Sequence, residues 1–232
     1  MSADFSTERP LFGGAIVSTF PLRFQVVFFN SDSVSFPFVD VSNVRQVPDH
    51  QEVFVDPSRD ESLIFELLDF KHDVGDNGSA VWFLQDLATE QDAEGSMVIE
   101  QSGVIEAPGL CYGNIPTVAT TAVGQMAISK GRQGREAQNI VRVYLANLRL
   151  KGVGTDVLIS AYEPIVINPL SESASSVGSG LTTPASHSGY IPMPEVFKLA
   201  VSSFKVCDWS LFALLSRKLF VEVVELFVVV GS

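Results

Sequence analysis

The chain has 232 residues, and 46% of them are hydrophobic, which is enough apolar material for a sizeable core and argues against a disordered polymer. With 27 Asp and Glu against 15 Lys and Arg, the formal net charge is -12, which excludes a non-specific binder of phosphate backbones. Such a charge serves solubility or steers a basic partner, and composition alone does not separate the two.

Met1–Pro10 carries Asp4, Glu8 and Arg9 and lacks the apolar stretch of a signal peptide. Pro10–Ile16 reads as a short apolar strand or turn in which Gly13 and Gly14 permit positive φ. From Arg23 to Val39 the sequence is rich in Phe and Val, with Asn30–Ser33 as a central turn, and reads as a hairpin. Pro48-Asp49 marks a turn and Glu52–Val55 a strand. A helix is expected next. Ser58 and Glu61 have capping-box spacing, and Ile64, Leu67 and Leu68 share one helical face. Ser62, Glu66, Asp69 and Asp73 would share the other, so that Glu66 and Asp69 project side by side. That acidic stripe fits a solvated helix face as well as a binding surface.

Ala80–Leu84 and Met97–Gln101 read as strands. Three longer strands follow, Thr117–Lys130, Ile140–Leu150 and Thr155–Ile167, joined at Gly131–Gly134 and Lys151–Gly154 into an antiparallel meander. Lys130, Arg132 and Arg135 form a small basic hairpin tip. Asn168–Tyr190 is Ser, Gly, Thr and Pro-rich and reads as a flexible loop. A second helix begins near Pro194, with Val196, Leu199, Ala200 and Ser203 inward. Strands between terminal helices make an α+β pattern, a mainly antiparallel sheet with helices packed on it.

No metal-ligand spacing, nucleophile elbow or phosphate loop is present, so neither catalytic residues nor cofactors nor metals are assigned. Cys111 and Cys207 read as reduced packing residues. Leu211–Val230 is apolar, but Arg217, Lys218, Glu222 and Glu225 interrupt it, which argues against a membrane span.

Several segments resemble the Ran guanine nucleotide release factors, in a wording similar to plant members. Arg9-Pro-Leu-Phe-Gly-Gly-Ala-Ile16 is similar to their opening motif. Asp40–Phe54, with its Val-Pro-Asp-His-Gln-Glu-Val-Phe string, resembles their most distinctive segment, and Ser62–Asp69, Thr155–Ser160 and Asp208–Phe212 match as well. The resemblance implies a central sheet of about six strands between helices, an α/β/α sandwich of PsbP-like fold. It implies binding to the GTPase Ran, release of its guanine nucleotide and support of nuclear protein import. It implies a monomer of nucleus and cytoplasm that performs no bond-making chemistry. It places Glu66, Asp69 and Asp73, with Arg45, Asp49, Gln51 and Glu52, on the Ran-binding surface. An adaptor that uses the same fold for another partner is the competing reading. A lumenal PsbP-like protein would need a transit peptide that Met1–Pro10 does not supply.

The chain departs from that pattern twice. About fourteen residues, 26–39, are inserted before the distinctive segment, and an apolar extension, 214–232, follows the expected domain 1–213.

Overall fold

The computed structural model describes residues 4–26, 50–106, 110–129 and 133–213. Arg45, Asp49, Lys130, Arg132, nearly all of the insertion 26–39 and the extension 214–232 lie outside the described residues, as does the hairpin expected beyond Val26.

In chain order the strands and helices are β1 (Ser6–Leu11), β2 (Ile16–Pro21), β3 (Gln25–Val26), β4 (Gln51–Asp56), β5 (Glu61–Asp69), α1 (Ser79–Glu90), β6 (Val98–Ile105), β7 (Cys111–Tyr112) and β8 (Ile115–Pro116). They continue with β9 (Val118–Ile128), β10 (Asn139–Leu150), β11 (Thr155–Ile167), α2 (Ser173–Val177), β12 (Gly180–Leu181), α3 (Met193–Ser202) and β13 (Lys205–Val206). The main sheet runs β3-β4-β5-β11-β10-β9-β6, with β12 added to β11, and all its pairings are antiparallel. The expected meander is therefore present, in a sheet larger than the six strands anticipated. A small sheet, β1-β2-β13, and the β7-β8 hairpin accompany it.

Alternation along β10 explains the layering. Val141, Val143 and Leu145 face one core with Phe83, Leu84 and Ala88 of α1, whereas Tyr144, Ala146, Leu148 and Leu150 face a second core with Val196, Phe197 and Ala200 of α3. A central strand buried on both sides must be apolar at both parities, as this one is. The second core is the larger and includes a triad of rings, with Phe20 4.7 Å from Phe54 and 5.7 Å from Phe65. The small sheet locks α3 over it: Ser18 Oγ donates to the Ala200 carbonyl at 2.9 Å, and Ser203 Oγ accepts from the Thr19 amide at 2.7 Å.

Five expectations are corrected here. Glu61–Asp69 is a strand, not a helix, because Leu63, Phe65 and Leu67 are buried at every second position. Ser58 makes no capping box: its amide and hydroxyl both donate to Asp56 Oδ1, at 3.0 and 2.6 Å, in the tight turn between β4 and β5. Ala80–Leu84 is not a strand but belongs to α1, and Gly75–Gly78 leads into that helix. The segment 168–190 is built into the fold: Asn139 Nδ2 donates to Ser171 Oγ at 3.0 Å and Ser173 Oγ at 3.3 Å, β12 pairs with β11, and Ala185 is buried. Cys111 and Cys207 are both exposed, so they are not packing residues.

Candidate functional site

The two motifs that carry the family resemblance meet in space. The β1–β2 turn holds Phe12, Gly13 and Gly14 at φ 49°, 67° and 91°. Left-handed backbone is costly for a bulky residue such as Phe12 and persists only where its surroundings enforce it. Glu52 of β4 supplies part of that enforcement, its Oε1 accepting the Phe12 N–H at 2.5 Å. Burial raises the Glu52 carboxyl above the ordinary glutamate range, and the Phe12 amide opposes that rise.

Its neighbour Gln51 points to the opposite face of the sheet. Gln51 stands directly across from Glu66 of β5, and its side-chain amide donates to Glu66 Oε1. His50 Nε2 lies 3.7 Å from the same oxygen, while the His50 carbonyl accepts the Leu67 amide at 2.9 Å. Glu66 also stands beside Leu158 of β11, which belongs to the α1-side core. Burial lifts the Glu66 carboxyl above its ordinary range; Gln51 and His50 pull it back, and the charge of Glu90, in the last turn of α1, adds to the rise. The Tyr162 phenol is raised chiefly by burial, with Glu66 and Glu90 adding to it against a hydrogen bond with Ser160. No lysine or arginine pairs with Glu66 among the described residues.

The acidic stripe is thereby rearranged. Glu66 and Asp69 are an odd number of strand positions apart, so they face opposite sides of the sheet, and Asp69 is exposed at the strand end opposite Thr155. Asp73 is exposed in the crossover to α1. Arg149 pins that crossover from below. It donates to the Val74 carbonyl at 2.5 Å and to Asp76 Oδ1 and Asp156 Oδ1 at 3.1 Å each, and lies 4.1 Å from the Phe70 ring. The structure thus joins Gln51 with Glu66 on the α1 side and puts Glu52 on the α3 side, with Asp69 and Asp73 at the rim. Sequence reasoning missed Glu90, Tyr162 and the role of His50, since only the strand register and the docking of α1 bring them to Glu66.

The family model described as "Ran-interacting Mog1 protein" matches residues 9–164. The chain belongs to the Mog1 family. Among curated relatives, the Ran guanine nucleotide release factor of Danio rerio is 34% identical over 72% of this chain and 83% of its own length. The probable Ran guanine nucleotide release factor of Dictyostelium discoideum is 29% identical over 91% and 98%, and the human Ran guanine nucleotide release factor is 30% identical over 68% and 75%. A crystal structure of the Saccharomyces cerevisiae Ran-binding protein Mog1p superposes with a TM-score of 0.55 and 23% identity, over 90% of this chain and all of that one. That likeness is one of fold. The matched Mog1 region includes the Phe12 turn, Gln51, Glu52, Glu66, Asp69, Asp73 and Tyr162.

Proposed function

We propose that this chain binds Ran and loosens its guanine nucleotide, in support of nuclear protein import, and that it does so as a monomer in nucleus and cytoplasm without bond-making chemistry of its own. The observation that carries the reading is Glu66, a partly buried carboxylate held by the Gln51 amide, with the His50 imidazole 3.7 Å away, and matched by no permanent cation among the described residues. Such a group offers its charge to a lysine or arginine of a partner, and desolvation on docking strengthens the pair. Gln51 fixes the carboxylate in one orientation, so less side-chain entropy is lost on binding. Asp69 and Asp73 add long-range attraction from the rim, and Glu52 holds the Phe12 turn beside the same strand. Arg45 and Asp49 belong to the same proposed surface by sequence.

Release follows by linkage. A protein that holds nucleotide-free Ran more tightly than loaded Ran must lower Ran's affinity for nucleotide by the same factor. The test is displacement of fluorescent GDP or GTP from Ran as the chain is titrated in. Faster displacement by the wild type, lost with Glu66→Lys, supports the proposal. Binding without any acceleration would instead identify an adaptor.

A further inference from the structure

The outermost strand at the far side of the main sheet, β6, ends the series β10-β9-β6, and its outer edge has no partner among the described residues. Natural sheets guard such edges with lysine, proline, bulges or covering elements. This edge carries one such device, a register shift between Ile99 and Gln101. It contains neither lysine nor proline, and its one charge is neutralised within the sheet: Glu100 Oε2 accepts Arg142 Nε at 3.0 Å, and Glu100 Oε1 accepts the Gln125 amide. Val98 and Val104 are 63% and 59% exposed. Val98 pairs with Gln125 and Val104 with Thr120 on β9, at positions of opposite parity, so the two valines lie on the two faces of the edge. An added strand would cover both.

The charges at the two ends of the edge identify the kind of strand. Glu106 is exposed just beyond Ile105. Before Val98 opens a hollow of about 400 Å3 lined by Thr89, Asp92, Glu94, Ser96, Arg135 and Gln138. Among the described residues, Asp92 and Glu94 outnumber the one guanidinium there. A second copy of this chain, with a net charge of -12, fits poorly against such ends.

We propose that the β6 edge is a second docking surface, which takes up an extended segment of another protein by strand addition, alternately apolar and carrying a basic side chain at each end. Main-chain hydrogen bonds supply the binding, Val98 and Val104 the apolar contacts, and Glu94 and Glu106 the preference for basic flanks. This surface lies across the sheet from Gln51 and Glu66, so both can be occupied at once, and the inference stands apart from the reading of Glu66.

The probe is a short peptide of alternating Val and Thr with Lys at each end, added to the full chain. Deuterium uptake followed by mass spectrometry reads the amides of 98–105, and fluorescence anisotropy reads affinity. The expected result is protection confined to β6 and its neighbour β9. A peptide with Glu at both ends should bind roughly tenfold more weakly, as should the Lys peptide to a Glu94→Lys, Glu106→Lys chain. Glu66→Lys should leave peptide binding unchanged. Absence of protection in β6, equal affinity for both peptides, or a concentration-dependent dimer that already protects β6 without peptide would each overturn the proposal.

Discussion

Two glutamates of β5 have opposite surroundings. Glu61 is 1% exposed and lies within a ring of cations: Arg23 Nη2 at 3.1 Å from Oε2 and Arg59 Nε at 2.7 Å from Oε1, with Arg23 also bridging to Asp4 and Asp56. That cluster ties the chain start, the β4–β5 turn and the segment around Ile191, whose carbonyl accepts Arg23 at 3.2 Å. Glu66 is 22% exposed, and its partners among the described residues are Gln51 and His50. Both carboxyls are raised by burial, yet Glu61 is countered by two guanidiniums of its own chain and Glu66 by none among the described residues. A buried carboxylate already saturated with cations holds the fold. One held in place without a cation is available to something else.

The largest expected effect tests the first half of that contrast. Glu61→Ala strips Arg59 of its side-chain partner and leaves buried positive charge uncompensated, which should cost about 3 kcal/mol of stability. Urea denaturation should show it as a lower midpoint with the same slope. Glu66→Ala should cost less than about 1 kcal/mol, because the side chain borders solvent. Equal losses from the two substitutions would erase the distinction.

For Ran affinity the ranking reverses. Glu66→Lys places a cation where the partner's cation is expected and should weaken binding by about 2 kcal/mol, close to thirtyfold, in calorimetric titration. Asp69→Lys, on the other face at the strand end, should weaken it by a smaller factor that shrinks further as salt is raised. A larger effect from Asp69 would move the contact to the rim.

Glu52 sharpens the comparison as an intermediate case. Glu52→Ala removes the acceptor of the Phe12 N–H in a left-handed turn and should cost about 1–2 kcal/mol of stability. Glu52→Gln keeps an acceptor and should recover most of it. If Glu52→Gln restores stability but not Ran binding, the carboxylate also contacts the partner.

These assignments depend on geometry that was legible only in part from sequence. The meander was readable because β10 and β11 are long, rich in branched residues and joined at Gly154, which sits at φ 65°. The start of α3 was readable because proline occupies its first turn. β5 was misread because its α1-side face also carries Ile64 and Leu68, so apolar residues occur at both parities and a helical period fits some of them. α1 was missed because Gly78 precedes it with no side-chain cap, leaving no start signal. The order of 168–190 comes from the bonds that Asn139 makes, its side-chain amide donating to the Ser171 and Ser173 hydroxyls and its side-chain oxygen accepting the Asn168 amide, to which composition is blind. The site was half visible. Glu66 and Gln51 were named, but their meeting is a matter of cross-strand register, and Glu90 joins them only through the packing of α1.

The smallest effect is a pH dependence. Burial raises Glu66 above the ordinary glutamate value of 4.5, so on acidification it loses its charge before an exposed glutamate does. Ran affinity should therefore fall as the pH is lowered from neutral towards the ordinary glutamate range, before exposed glutamates are discharged. Unfolding is not expected to imitate this loss through the raised glutamates. Glu52, Glu61 and Glu66 all have folded-state values above their unfolded ones, so the stability they contribute is full below 4.5 and is lost as pH rises through the folded values. Mild acid accordingly favours the folded state at these three positions while it discharges the contact. Titration calorimetry across that window should give a sloping affinity for the wild type and a flatter, weaker one for Glu66→Gln, in which the uncharged amide has nothing to lose. The same pair of measurements in a His50→Gln background removes the neighbouring imidazole from the comparison. A slope that survives Glu66→Gln unchanged would assign the titrating group to Ran or to another carboxylate, and Glu66 would no longer be the charge that the partner reads.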